Sequence, residues 1–313
     1  MKRSSAMSLA TTLLAAGGLA AAGCAGSEPP PPRTVDVTDE TGPTITRTTL
    51  LPGDVVVDHG IGAAVPDPGQ SVQAIFDLVD GGAQTLRIET AADGAVTISR
   101  ESPEVAAEAS PDACHSPVAC NDPAFLLGGK HWAIQFKWFF QASSTPAANS
   151  KDNVETRLRA AVHNTSTGHN GCGISPHLSS SAQYQGRTTV APNLTPSQCS
   201  THSDGRSVVG FGPMPARLLA GTCVWGPGNQ IVEADTLINS SLQWYATEDP
   251  PGGCSNSFGI EPVMTHEFGH SFGLLDLNEC QHGRLTMGKQ IDPCDNSSST
   301  LGLGDIKGMQ AMY

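Results

Sequence analysis

The chain has 313 residues, enough for one large domain or two ordinary ones, and its 38% hydrophobic and 15% charged residues suit a soluble, globular and rather uncharged protein. Its 17 Lys and Arg residues against 30 Asp and Glu residues give a net charge of −13, and this negative field argues against nucleic acid and anionic membrane surfaces as partners. The surplus carboxylates offer oxygen ligands, so calcium is a candidate cofactor.

Residues 1–23 have the pattern of an export signal. Lys2 and Arg3 precede an apolar run that is too short to span a bilayer stably. The run ends in "AAGC", which resembles the lipobox of bacterial lipoproteins and implies that Cys24 is lipidated and anchors the protein to the cell envelope. Ordinary cleavage near Ala22 is the alternative, and it would release an extracellular protein with a free thiol at Cys24.

The cysteines predict disulfide bonds in an oxidising compartment. The sequence contains 9 cysteines and no CxxC pair, so a cysteine-bound structural zinc is not expected. With Cys24 set aside, the candidates for pairing are Cys114, Cys120, Cys172, Cys199, Cys223, Cys254, Cys280 and Cys294.

The chain divides by composition into several segments. Residues 24–43 form a proline-rich tether. Residues 44–101 alternate short β-type runs with Gly, Asp and Pro turns and predict a small β-rich module, either a spacer or a propeptide. Residues 102–113 form a second linker, and every cysteine that we expect to pair lies beyond it.

Residues 114–313 predict an α+β domain, because strand-like runs surround one amphipathic helix and precede a second helix that carries polar residues. The first helix has Ser150 or Asp152 as its N-cap. Its apolar stripe consists of Val154, Leu158, Ala161 and Val162.

The second helix contains the stretch "HEFGHSFGLLD". Residues four apart on a helix share one face, so His266 and His270 can bind the same metal ion, and Glu267 can reach a water on that ion. Gly273 can adopt the positive φ that ends a helix, and the chain then presents Asp276 to the same ion. The alternative is that these polar residues form the exposed side of a surface helix, which does not require this spacing.

The full pattern, HExxHxxGxxD, resembles the metal site of metzincin metalloproteases of the matrixin-like and snapalysin-like groups. "RLTM" places Met287 where metzincins have their methionine turn, and "LGLGDIKGMQAMY" resembles the closing helix of matrixins. The matrixin cysteine switch is absent. Gly288 and Lys289 follow Met287, so the tyrosine of astacin-like proteins is missing as well.

The resemblance implies a twisted mixed sheet with long helices, and the activity of a zinc endopeptidase acting on extracellular proteins. His266, His270 and Asp276, rather than His282, would hold one zinc ion, and Glu267 would activate the zinc-bound water. The polypeptide substrate would pair with an exposed edge strand, residues 218–225.

Further expectations concern the disulfides, the partners and the alternatives in function. We expect Cys280 and Cys294 to pair, because they bracket Met287, and we expect a monomer whose only contact with a membrane is the lipid anchor at Cys24. The alternatives are a surface-anchored binding or adhesion protein that has lost catalysis, and a zinc hydrolase of non-protein amides.

Overall fold

Helices and strands both occur along the chain, which confirms the predicted α+β class. The computed structural model describes residues 31–101, 116–288 and 290–313. The predicted signal, Cys24, the linker 102–113, Cys114 and Lys289 lie outside the described residues. Pro32–Tyr313 form one compact unit.

The α-helices are α1 Lys151–Thr167, α2 Ile260–Ser271, α3 Glu279–His282 and α4 Leu303–Met312. The first ten strands are β1 Thr34–Asp36, β2 Thr44–Arg47, β3 Val55–Asp58, β4 Ile61–Ala64, β5 Ser71–Leu78, β6 Ala83–Thr90, β7 Val96–Glu101, β8 Leu126–Leu127, β9 His131–Trp132 and β10 Phe136–Phe140. The others are β11 Ala182–Arg187, β12 Leu194–Thr195, β13 Gln198–Cys199, β14 Ser207–Gly212, β15 Leu218–Gly226, β16 Gln230–Ile231, β17 Glu233–Asn239, β18 Gln243–Tyr245, β19 Ser257–Gly259 and β20 Leu274–Leu275.

The largest sheet in the described part of the chain has the strand order β11-β10-β14-β17-β15-β5-β6-β7-β2. The first four strands in this order are parallel to one another, and β15 is antiparallel to β17. From β15 onward, each pair of neighbours is antiparallel. Strands from residues 44–101 and strands from the later part of the chain therefore belong to one continuous sheet.

A second sheet also joins the two parts of the chain, with the order β1-β3-β4-β13-β12. Its strand β1 lies within the segment that composition predicts to be a tether. Buried apolar side chains from both parts, including Phe76, Leu86 and Trp225, share one core cluster. The expected substrate edge at residues 218–225 is wrong for this chain, because β15 is paired on one side with β17 and on the other with β5.

Helix α1 begins where the sequence predicts. The side chain of Ser150 accepts a hydrogen bond from the Asn153 amide, which satisfies one of the free N–H groups of the first turn. Gly168 ends the helix with a positive φ of 70°. The four residues of the predicted apolar stripe, Val154, Leu158, Ala161 and Val162, are buried.

Helix α2 lies in the core, and each of its residues except Glu261 is buried. Phe268 packs against Trp138 of β10, with ring centroids 5.6 Å apart. Phe272, which follows the helix, packs against Phe136 of β10 at 5.5 Å. The Arg157 side chain of α1 forms an ion pair with Glu261 at 2.8 Å, so α2 is held between the sheet and α1.

Three disulfides join described cysteines: Cys120–Cys172, Cys199–Cys223 and Cys254–Cys294. They are compatible with an extracellular protein. The expected Cys280–Cys294 bridge is wrong, because Cys294 is joined to Cys254, and Cys280 is itself disulfide-bonded. Among the described residues, no helix combines the length and the apolar character needed to cross a membrane.

Candidate metal centre

His266 and His270 lie one turn apart on α2, and their Nε2 atoms are 3.0 Å from each other. The Nδ1 atom of His266 lies 2.7 Å from the Thr286 carbonyl oxygen, and that of His270 lies 3.0 Å from the Leu274 carbonyl oxygen. A carbonyl oxygen only accepts, so each Nδ1 donates its proton. In the neutral ring Nε2 then keeps a lone pair, which is the arrangement found in histidines that bind metals.

Asp276 reaches the histidines because the chain turns sharply after α2. Gly273 has a φ of +100°, and a Cβ at this position would overlap the carbonyl oxygen of Lys130. The turn places Asp276 Oδ1 3.1 Å from His266 Nε2 and Asp276 Oδ2 3.4 Å from His270 Nε2. The structure thus brings together the three residues that the sequence nominates as ligands.

A fourth side chain, Asp77 of β5, enters the same cluster. Its Oδ2 atom lies 3.3 Å from His266 Nε2, and its Oδ1 atom lies 3.7 Å from His270 Nε2. Asp77, His266, His270 and Asp276 each offer a ligand atom, these atoms lie within 4.8 Å of one another, and the four residues could hold a metal ion. The Oδ2 atoms of Asp77 and Asp276 are buried without a hydrogen-bond partner, as expected of oxygens that await a cation.

The charged side chains of the cluster shift one another's pKa values. Burial opposes ionisation of Asp77, but its two histidine neighbours, with the charge of His266 as the larger contribution, hold its pKa well below the usual range. Burial likewise opposes the charged form of His266, but Asp77 and Asp276 raise its pKa well above the ordinary value. A metal ion would therefore have to displace a proton from His266.

Glu267 lies beside the cluster and is fully buried. The Thr222 hydroxyl of β15 donates a hydrogen bond to its Oε2 at 2.5 Å, while Oε1 is buried and has no partner. The pKa of Glu267 is raised well above its usual range. Burial is the largest cause, and the negative charge of Asp77 is the second. Thr222 therefore fixes the orientation of the carboxyl group and leaves one oxygen available.

Met287 lies in a 3₁₀ turn, Thr286–Gly288, and packs against Gly269 near the C-terminal end of α2. A Cβ at Gly269 would overlap the Met287 sulfur, so this glycine of the motif permits the close contact. The buried Asp305 of α4 accepts backbone N–H bonds from Thr286 at 2.9 Å and Met287 at 3.1 Å. Since the Thr286 carbonyl accepts the hydrogen bond of His266 Nδ1, α4 supports the histidine through this turn.

His282 does not join the cluster. Its Nδ1 atom lies 2.9 Å from Asp122 Oδ2, and it is absent from the group of described residues that could share an ion. The geometry is compatible with Asp276 as the third ligand, and that assignment stays a prediction.

Sequence reasoning missed three residues of this region: Asp77, Thr222 and Asp305. Asp77 has a detectable signal, since it is an acidic residue near the end of the apolar strand "SVQAIFDL". Asp305 has a weaker one, as an acidic residue in the first turn of α4. Thr222 has none, because threonine is common in strands.

No protein-family model matches the chain, and no curated protein matches it. Any inference about function therefore depends on the residues and the geometry of the metal centre.

Proposed function

We propose that the chain is a zinc-dependent endopeptidase with a metzincin-like catalytic region in residues 114–313. The observation that carries the proposal is the position of Glu267, which lies between two metal-oriented histidines and has one oxygen held by Thr222 and the other unpartnered. A site that only binds a structural metal has no use for such a carboxyl group.

The donor set fits zinc, which binds histidine nitrogen and carboxylate oxygen. In a tetrahedral site with ligands at about 2.0–2.2 Å, neighbouring donors are about 3.3–3.6 Å apart. Here His266 Nε2 lies 3.0 Å from His270 Nε2, 3.1 Å from Asp276 Oδ1 and 3.3 Å from Asp77 Oδ2, and the ligand atoms of the four residues all lie within 4.8 Å of one another. Two carboxylates and two neutral imidazoles would also balance the charge of a divalent ion.

The residues of the chain divide the work of peptide hydrolysis. When bound, zinc would polarise the scissile carbonyl and acidify a water molecule. A bound cation would lower the raised pKa of Glu267, and the ionised carboxylate would then accept the water proton on its free oxygen and pass it to the departing amine. Thr222 keeps Glu267 in position, and the Met287 turn, which Asp305 holds, supports His266.

The test uses zinc-loaded wild type and Asp77→Ala protein, because Asp77 lies where an open position would be needed. At least the Asp77→Ala variant should hydrolyse casein, and ortho-phenanthroline should stop the hydrolysis by removing the metal. In the Asp77→Ala background, Glu267→Ala should abolish hydrolysis but keep about one zinc per chain. Loss of the zinc together with activity would show that Glu267 is a ligand and not the base.

A second candidate is a surface-anchored binding protein with a structural metal. The observation in its favour is that four protein side chains surround the site, as in closed structural zinc sites. Absence of hydrolysis in every zinc-loaded form, Asp77→Ala included, would favour this candidate.

A further inference from the structure

Lys130 is a charged side chain in the interior of the protein. The residue is 1% exposed, and its ammonium nitrogen donates hydrogen bonds to the carbonyl oxygens of Gly226 and Gly228, both at 2.8 Å, and of Gln230 at 3.3 Å. An ammonium group has three N–H donors, so these carbonyls take all of them. The nitrogen therefore binds the turn between β15 and β16 as a small cation would.

Packing does not explain why this charge is buried. A buried ammonium loses its hydration, which costs free energy unless polar groups replace the water. Burial is the main reason that the pKa of Lys130 is lowered to about 8, and the charge of Arg87 is a smaller one, while Glu89 opposes the shift. The ammonium is still the main form at neutral pH. Methionine would fill the same space without this cost, so the charge indicates a role for the three hydrogen bonds.

The main chain on either side of Lys130 joins two parts of the protein. On its C-terminal side, β9 pairs with β16, which contains the last residue of the turn. On its N-terminal side, β8 pairs with β20, and Leu126 lies opposite Leu275, the residue before Asp276. Lys130 thus lies within a connecting segment, residues 126–132, that runs between the 226–230 turn and the candidate metal centre.

The connecting segment also holds the Gly273 turn in place. The Gly128 amide donates a hydrogen bond to the Gly273 carbonyl oxygen at 2.8 Å. The Lys130 carbonyl oxygen lies so close to Gly273 that a Cβ there would be 2.1 Å from it. Gly273 has a φ of +100°, and the chain reaches Asp276 three residues later. A shift of the Lys130 backbone would therefore be transmitted to the turn that presents Asp276.

We propose that Lys130 is a positioning residue for the metal centre: its ammonium gathers the three carbonyls of the 226–230 turn, and its backbone thereby fixes the Gly273 turn that places Asp276 beside the two histidines. The inference rests on the metal centre of the proposed function and does not depend on hydrolysis. Groups that hold a metal ligand in place without binding the metal typically contribute about 10–100-fold to metal affinity.

The experiment measures the zinc affinity of the full-length protein by competition with a chelator, in a double-mutant cycle. Lys130→Met removes the charge and keeps most of the length, and Lys137→Met does the same at an exposed lysine of β10. Lys130→Met should weaken zinc binding by about 10–100-fold, whereas Lys137→Met should leave it at the wild-type value.

The Asp276→Ala background decides how Lys130 acts. In that background Lys130→Met should have no further effect on zinc affinity, because the ligand through which Lys130 acts is gone. An equal loss in both backgrounds would show a general destabilisation and overturn the inference. Unchanged zinc affinity in the Lys130→Met single variant would overturn it as well.

Rescue by a small amine keeps the test decisive if circular dichroism shows that Lys130→Met does not fold. Lys130→Ala lacks the ammonium and all but the first carbon of the lysine stem, which together have the outline of propylammonium. Propylammonium should therefore restore the fold and the zinc affinity of Lys130→Ala, and 1-propanol, which fills similar space without the charge, should not. Rescue by neither compound, or by both equally, would overturn the role of the ammonium.

These measurements do not involve catalysis, so the inference and the proposed function can fail separately. Coupling between Lys130 and Asp276 in a protein that hydrolyses no substrate would support the positioning role and contradict the endopeptidase proposal. Hydrolysis without that coupling would overturn the positioning role and leave the endopeptidase proposal intact.

Discussion

Asp77 of strand β5 lies against His266 of helix α2, with Oδ2 3.3 Å from Nε2. The two residues belong to parts of the chain that composition divides into separate segments, so their contact joins the β-rich region to the metal centre. Replacing either side chain should therefore change the pKa of the other.

The third ligand can be tested by comparing Asp276→Ala with His282→Ala. The first change removes an oxygen that lies 3.1 Å from His266 Nε2, so zinc affinity should fall by more than about 100-fold. The second removes a side chain that pairs with Asp122 outside the cluster, so affinity should stay close to wild type. A larger loss in His282→Ala would place His282 in the coordination shell.

Zinc affinity should depend on pH, and Asp77 should raise the pH range over which the affinity increases. The raised pKa of His266 means that a proton competes with the metal above the ordinary imidazole range of about 6.5. Zinc affinity of wild type should therefore keep rising with pH beyond that value. In Asp77→Ala this proton competition should shift to lower pH, because one of the two carboxylates that raise the pKa is gone. Identical pH midpoints would contradict the coupling.

Thr222 is a positioning residue for Glu267. In the Asp77→Ala background, Thr222→Val should lower kcat about tenfold, which corresponds to about 1.4 kcal/mol and is typical of one lost hydrogen bond. KM and zinc affinity should change little, and Thr222→Ser should restore kcat because it keeps the hydroxyl. A fall in zinc affinity, or no rescue by serine, would point to a packing role instead.

The contact between Gly269 and Met287 predicts that Gly269→Ala destabilises the protein, although glycine-to-alanine changes inside helices normally stabilise. Gly to Ala inside a helix normally stabilises by about 1 kcal/mol. Here the new Cβ would overlap the Met287 sulfur, so Gly269→Ala should destabilise by about 1–3 kcal/mol in urea unfolding. In a Met287→Ala background the same change should be neutral or stabilising. Equal effects in both backgrounds would show that the methionine does not limit the space.

The Cys254–Cys294 bridge holds the segment before α2 to the segment after the Met287 turn. Peptide mapping without reductant should find this pair. Replacing both cysteines by serine should cost about 2–5 kcal/mol of unfolding free energy, as is typical when a native disulfide is removed. Recovery of a Cys280–Cys294 peptide would restore the connectivity expected from the sequence.

The local parts of this structure could be predicted from the sequence. The N-cap of α1, its buried stripe and the turn at Gly273 follow from residue types within a few positions of one another. His266, His270 and Asp276 meet because helix geometry and a single turn bring residues with this spacing together. These features depend on short-range rules, which a single sequence displays.

The long-range parts could not be predicted in this way. The pairing of β5 with β15 depends on which of several similar strands meet, and the alternation of apolar residues does not specify a partner. The contact of Asp77 with the histidines follows from that pairing. The Cys254–Cys294 bridge likewise depends on how distant loops approach, and cysteine spacing alone leaves it open.

The most direct test of the metal centre is a crystal structure of the full-length protein grown with zinc, with anomalous diffraction recorded at the zinc edge. We predict one strong peak at the centre, within about 2.0–2.2 Å of donor atoms from Asp77, His266, His270 and Asp276. A peak that lacks the histidines, or a centre without zinc at saturating metal, would contradict the assignment.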